Sequence, residues 1–291
     1  MKYDFDCVVV GSGIAGMTAA IYLKRSNVNV LLLDYDAPGG LLNKISKIEN
    51  YPGYTSISGP DLSYKIYEQI NNLSIEIRYG KVLDIKDHII TTDIEKISAN
   101  KIILAIGRKA RKLENTNNIK NISYCALCDG NLYKDKVVAV VGYSNSALEE
   151  SIYLSDICKK VIIIGRGSTF NGEESLIEKI KSKKNIDIQL KCVIKTLNSE
   201  NDILTEIVTN KGSFKVDGMF VSIGYEPNTT FLSDITKDNG YIIVDNKMKT
   251  NIDYIFACGD IIKKDIYQLT TAVGEATIAA INVKKELTNN I

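Results

Sequence analysis

The stretch Gly11-Ser12-Gly13-Ile14-Ala15-Gly16 constrains this chain more than any other. It follows Phe5-Asp6-Cys7-Val8-Val9-Val10, an apolar run of the kind that suits a strand covered on both faces of a parallel sheet. It leads into a helical pattern from Met17 to Arg25, and a second apolar run, Val28 to Leu33, ends in Asp34. Glycines spaced in this way serve three ends: a tight turn, close backbone approach to a pyrophosphate, and close packing of helix on strand. An acid at the end of the next strand, about 20 residues on, can accept from a ribose hydroxyl. Strand, glycines, helix, strand and acid in register therefore predict a dinucleotide-binding βαβ unit.

The second constraint is Tyr124-Cys125-Ala126-Leu127-Cys128-Asp129-Gly130, upstream of another buried-type strand, Lys136 to Val141. Two cysteines at this spacing can close a small disulfide ring, and such a pair often holds a thiol partly ionised near neutrality. The same spacing is also half of a zinc site. No second C-x-x-C is present, and the one histidine, His88, lies in a polar-edged stretch and reads as a surface residue. No metal site is expected. Cys7 and Cys258 fall within apolar strands and read as small core residues.

Size and charge narrow the classes. A chain of 291 residues suits two domains, at about 100–200 residues each. Its 36 basic and 35 acidic residues give no electrostatic case for nucleic acid. No apolar run reaches the roughly 20 residues of a membrane span, and Met1-Lys2-Tyr3-Asp4 opens onto a strand and not a signal peptide. The expectation is a cytoplasmic protein without membrane or nucleic-acid partners. In that reducing compartment a C-x-x-C is catalytic or metal-binding more often than structural.

Turn formers fill Pro38-Gly39-Gly40-Leu41-Leu42 and Glu49-Asn50-Tyr51-Pro52-Gly53, before a helix expected over Asp61 to Asn71. Short strands follow, the last over Lys101 to Ile106, and the chain leaves through the basic segment Arg108 to Lys112. Further on, Gly142-Tyr143-Ser144-Asn145-Ser146-Ala147 repeats the strand-turn-helix layout with Ser144 in place of the second glycine. The next strand ends in Gly165-Arg166-Gly167 instead of an acid, which argues against a nicotinamide site there. Near the end, Ile255 to Asp260 is a strand closing on Gly-Asp, and Tyr267-Gln268-Leu269-Thr270 opens a helix with a small-residue face.

This order of motifs resembles the low-molecular-weight thioredoxin reductase family along nearly the whole chain, and Cys-Ala-x-Cys-Asp-Gly is a specific part of the likeness. The resemblance implies an α/β fold of two Rossmann-like, three-layer dinucleotide-binding-type domains. An FAD domain, 1–112 and 243–291, would be discontinuous, with a module resembling an NAD(P)H domain, 113–242, inserted and carrying the dithiol. It implies FAD contacts from Gly11, Ser12, Gly13, Ile14, Ala15, Gly16, Asp34, Tyr35, Gly40, Leu41, Asn50, Val82, Ala105, Gly107, Gly259, Asp260, Gln268, Leu269 and Thr270. Cys125, Cys128 and Asp129 would be catalytic, with Cys128 as the flavin-side sulfur and Asp129 handling the proton if burial raises its pKa. Thioredoxin is the implied substrate and a homodimer the implied assembly.

The chain also departs from the family pattern. Members that use NADPH have G-x-G-x-x-A and a His-Arg-Arg-x-x-x-Arg run, of which Gly165 to Asn171 retains only Arg166. Arginine is the side chain suited to a bidentate grip on phosphate. The losses are similar to those of a subgroup fed by reduced ferredoxin, so ferredoxin is the expected donor and NADPH the alternative. The basic segment Arg108 to Lys112 is then a candidate docking site for that acidic donor.

Overall fold

The first apolar run forms β1 (Phe5–Val10), and the glycine turn delivers the chain into α1 (Ile14–Arg25) and β2 (Val30–Asp34) of the computed structural model, which describes residues 2–45, 47–114, 116 and 118–289. Helix α2 (Gly59–Asn72) starts earlier than Asp61, because Ser58 caps it, its Oγ accepting from the Asp61 N–H at 3.1 Å, and Pro60 suits the first turn. Strands β3 (Glu76–Tyr79), β4 (Val82–Lys86), β5 (Ile89–Thr92) and β6 (Lys96–Leu104) follow. The early part of β6 was hidden in the sequence by its polar residues. It alternates buried Ile97 and Ala99 with more exposed neighbours, and there it pairs antiparallel with β5.

From Ala110 to Glu226 the chain forms a second compact unit. The connecting strand β7 (Arg108–Ala110) leads to β8 (Ile122–Ser123), a single helical turn α3 (Ala126–Asp129), β9 (Val137–Val141), α4 (Asn145–Ser155), β10 (Lys160–Ile164), α5 (Glu174–Ser182) and β11 (Ile186–Gln189). A meander, β12 (Ile194–Glu200), β13 (Ile203–Thr209) and β14 (Gly212–Lys215), precedes β15 (Gly218–Val221). The parallel sheet runs β11-β10-β9-β15-β8. Residues alternate across it: Val138, Val140 and Ile163 face α4 and α5, while Ala139, Val141, Ile162 and Ile164 face the meander through Leu204 and Ile207. This arrangement gives three layers around one sheet.

The return crossing is β16 (Tyr225–Pro227), which pairs with β7. It lies earlier than the boundary expected after residue 242, and the first unit is 1–109 with 227–291. The reason is burial: Leu232, Ile235 and Ile242 pack in the core with Val8, Val10, Leu31 and Leu33. After β17 (Lys237–Asp238) and β18 (Tyr241–Ile242), β19 (Ile255–Ala257) adds to β6 in parallel, and α6 (Leu269–Asn289) follows. The first unit's sheet runs β3-β2-β1-β6-β5-β4 with β19 on β6. Its other face, through Cys7, Val9, Leu32 and Phe256, is covered by α1, α2 and α6. Among the described residues no helix is long and apolar enough to cross a membrane.

Candidate functional site

The three glycines of the first turn stand in different surroundings. Gly11 has φ +101°, and a β-carbon there would lie 2.5 Å from the Ala105 carbonyl oxygen. A β-carbon at Gly16 would collide with the Gly11 carbonyl, so α1 rests directly on the turn. Gly13, by contrast, faces open space, with nothing within 4 Å of where its β-carbon would stand. It caps α1 with no side-chain hydrogen bond, and the first turn of the helix holds no acid. Unfilled space in front of unsatisfied helix N–H groups fits a pyrophosphate.

Asp34 braces this turn from the end of β2. Its Oδ2 accepts from the N–H and the hydroxyl of Ser12, both at 2.5 Å, and its Oδ1 accepts from the N–H groups of Tyr35 at 2.7 Å and Asp36 at 3.3 Å. These donors occupy about as many lone-pair sites as a carboxylate has. Gly39 donates to the Ser12 carbonyl at 2.9 Å, which carries Gly40 alongside Gly13 and places Leu41 in the following 3-10 turn. Ala105 N–H bonds Val10 O at 2.8 Å, and Gly107, φ +60°, faces open space. Val82 opens β4, two residues after Gly80 bonds the Asp34 carbonyl.

The end of the chain returns to the same place. A β-carbon on Gly259 would lie 2.8 Å from that of Ala15, so the Gly259-Asp260 turn abuts the start of α1, whose first residue is Ile14. Asn50 Nδ2 donates to Gln268 Oε1 at 3.3 Å, beside Leu269 and Thr270 at the start of α6.

Sequence reasoning missed the ionic frame around Asp260. Arg108 Nη2 lies 2.6 Å from Asp260 Oδ2, and its guanidinium carbon sits 4.2 Å from the Tyr267 ring centroid. Lys264 pairs with Glu275 at 2.8 Å and approaches Asp260 Oδ1 at 3.5 Å, while Glu275 accepts from the Gly259 N–H at 3.0 Å. Burial pushes the Glu275 carboxyl above its ordinary range, against the opposing pull of Lys264. One signal was available: Glu275 is a charge among Ala272, Ala276 and Ala279 on the packed face of α6. Arg108 is thus tied to Asp260, whereas Arg111 and Lys112 are exposed.

In the second unit Cys125 and Cys128 form a disulfide, with Cα atoms 5.3 Å apart. Cys125 is buried and Cys128 exposed, and the Cys128 N–H points at Cys125 Sγ at 3.2 Å. Ser123 organises the loop: its hydroxyl donates to Asp129 Oδ2 at 2.6 Å and accepts from the Cys125 N–H at 3.0 Å. The remaining thiols are buried; desolvation drives Cys7 and Cys258 far up and Cys158 to about 11, which leaves them unreactive. Among the described residues no group of three or more His, Cys, Asp or Glu could hold a metal ion.

Known proteins are similar to this chain along nearly its whole length. A family profile described as pyridine nucleotide-disulphide oxidoreductase matches residues 5–276. A thioredoxin reductase of Mycoplasmopsis pulmonis is 37% identical over 303 residues, 99% of this chain and 97% of that one. The crystal structure of Lactococcus lactis thioredoxin reductase is 36% identical with a TM-score of 0.94, covering 98% of this chain and 100% of that one. A ferredoxin-flavin thioredoxin reductase from Clostridium acetobutylicum is 30% identical with a TM-score of 0.56, covering 98% of each chain. The protein belongs to the pyridine nucleotide-disulphide oxidoreductase family.

Proposed function

We propose that this protein reduces thioredoxin through the Cys125-Cys128 pair and takes its electrons from reduced ferredoxin, acting as a cytoplasmic homodimer. FAD is its cofactor, and the first unit fits it. Gly13 and the start of α1 would take the pyrophosphate, and the Gly259-Asp260 turn and Gln268 would hold the rest. Bound FAD supplies a carrier that accepts electrons singly or in pairs.

The observation that carries the disulfide-reductase reading is the Cys125-Cys128 disulfide beside an acid held in place by Ser123. Two electrons and two protons open that bond to a dithiol. The Cys128 N–H remains in place to hydrogen-bond the Cys125 sulfur, and Asp129 is placed to exchange a proton with the pair. One thiolate then attacks a thioredoxin disulfide to give a mixed disulfide, and the second thiol resolves it. Reduced thioredoxin leaves and the Cys125-Cys128 bond is restored.

Ser144 and Gly165-Arg166-Gly167 support a donor other than NADPH, as does the likeness to a protein named ferredoxin-flavin thioredoxin reductase. NADPH is the second reading, favoured by the likeness to relatives named thioredoxin reductase without mention of ferredoxin. Anaerobic addition of NADPH and then of reduced ferredoxin, with flavin absorbance followed, separates them. Bleaching is expected only on the second addition. Rapid bleaching by NADPH near a usual KM, about 1 μM to 1 mM, would overturn the ferredoxin donor.

A further inference from the structure

We propose that Tyr143 closes the adenosine half of the inserted unit's dinucleotide cradle and is the residue that keeps NADPH and NADH out. The inference rests on the ferredoxin reading above and gives it a structural cause. In units of this type the ligand lies outside the carboxyl ends of the strands, with pyrophosphate over the first turn and the adenosine ribose at the end of the second strand. Here those places are the turn after β9 and the Gly165–Gly167 segment after β10. Parallel pairing sets them side by side, with Val141 opposite Ile164 and the Gly142 N–H on Ile164 O at 3.0 Å.

Tyr143 fills the space between. A β-carbon on Gly167 would lie 2.9 Å from Cε2 and 3.0 Å from Cδ2 of its ring, and one on Gly165 would lie 3.0 Å from Tyr143 Cβ. A side chain at 167 would also meet Thr169 O at 3.0 Å and one at 165 would meet Leu190 Cδ2 at 3.0 Å, so Tyr143 is one of the groups that press on both glycines. An arginine at 167, where it could grip a phosphate, would collide with the ring.

The backbone on both sides of this contact is held in place. The Tyr143 carbonyl accepts from Asn171 N–H at 2.8 Å, and Ser144 bridges to Asn171. Across the segment, Gly165 O accepts from Cys192 N–H at 2.9 Å and Gly167 O from Lys191 N–H at 2.8 Å. A ribose at the end of β10 would have to displace an aromatic ring from a surface fitted to it.

The test is a binding measurement on the FAD-loaded protein, read by the fluorescence of NADPH and NADH and so independent of turnover. The forms compared are wild type, Tyr143→Phe, Tyr143→Ala and Tyr143→Gly/Ser144→Gly. Weak and equal binding is expected for wild type and Tyr143→Phe. Tyr143→Ala and the double variant should each bind about tenfold tighter or better, where tenfold corresponds to one step on the usual affinity scale. Tyr143→Ala keeps the test open if added glycine loosens the turn, and far-UV circular dichroism with retained flavin absorbance identifies the folded variants. Folded variants that bind no tighter than wild type would overturn the role of Tyr143 and leave the donor reading standing. Micromolar binding by the wild type would overturn both. If Tyr143→Ala then weakened it, the ring would be a stacking platform for adenine.

Discussion

Of the disulfide pair, residue Cys125 is 6% exposed and residue Cys128 is exposed. Replacing Cys128 by Ser should abolish disulfide reduction while flavin absorbance stays unchanged, and retained turnover would remove the dithiol from the mechanism. Asp129→Asn should slow thioredoxin reduction by about a hundredfold, the lower end for a lost general acid-base, with the disulfide still formed. An unchanged rate would leave Asp129 as a turn residue. The cysteines and Asp129 could be proposed from the sequence because they fall within five consecutive residues. Ser123 could not, since a serine two residues before a cysteine has no distinctive pattern until its hydroxyl is seen between Asp129 and the Cys125 N–H.

At the scale of elements, α6 was legible by its small-residue face, but not by what anchors its far end. Lys101, 4% exposed on β6, reaches Glu286 Oε2 at 2.5 Å, and Lys249 reaches Glu286 Oε1 at 2.8 Å. Burial is the largest single influence on Glu286 and raises its carboxyl, yet the hydrogen bonds and charges of both lysines outweigh it and hold it below the ordinary range. A lowered carboxyl gives stability that is present above the unfolded value, about 4.3, and lost as pH falls through the folded one. Glu286→Gln should therefore cost about 2 kcal/mol at pH 7, less than a fully buried pair because Glu286 is partly exposed. As pH falls through the lowered folded value, to about pH 2, the gap should shrink towards zero as wild type loses the same charge. Urea midpoints of both proteins at the two pH values check this, and an equal gap at both would remove the ionised carboxylate from the account.

Over the whole molecule, charge is balanced, so any steering of an acidic donor must come from local clusters. Arg108 is committed to Asp260, whereas Arg111 and Lys112 are exposed. The double change to Glu should lower ferredoxin-driven turnover several-fold at low salt, with the difference fading at high salt as charges are screened. An equal rate at low salt would dismiss docking there. The sequence by itself determined the α/β class, the glycine turn and the dithiol, because each depends on local periodicity or on residues a few positions apart. Only the tertiary structure decided where the chain returns to its first unit, that Arg108 meets Asp260 across 152 positions, and that Tyr143 lies against both Gly165 and Gly167, its ring on the latter. Those depend on packing and on pairs brought together by the sheets, which local composition does not encode.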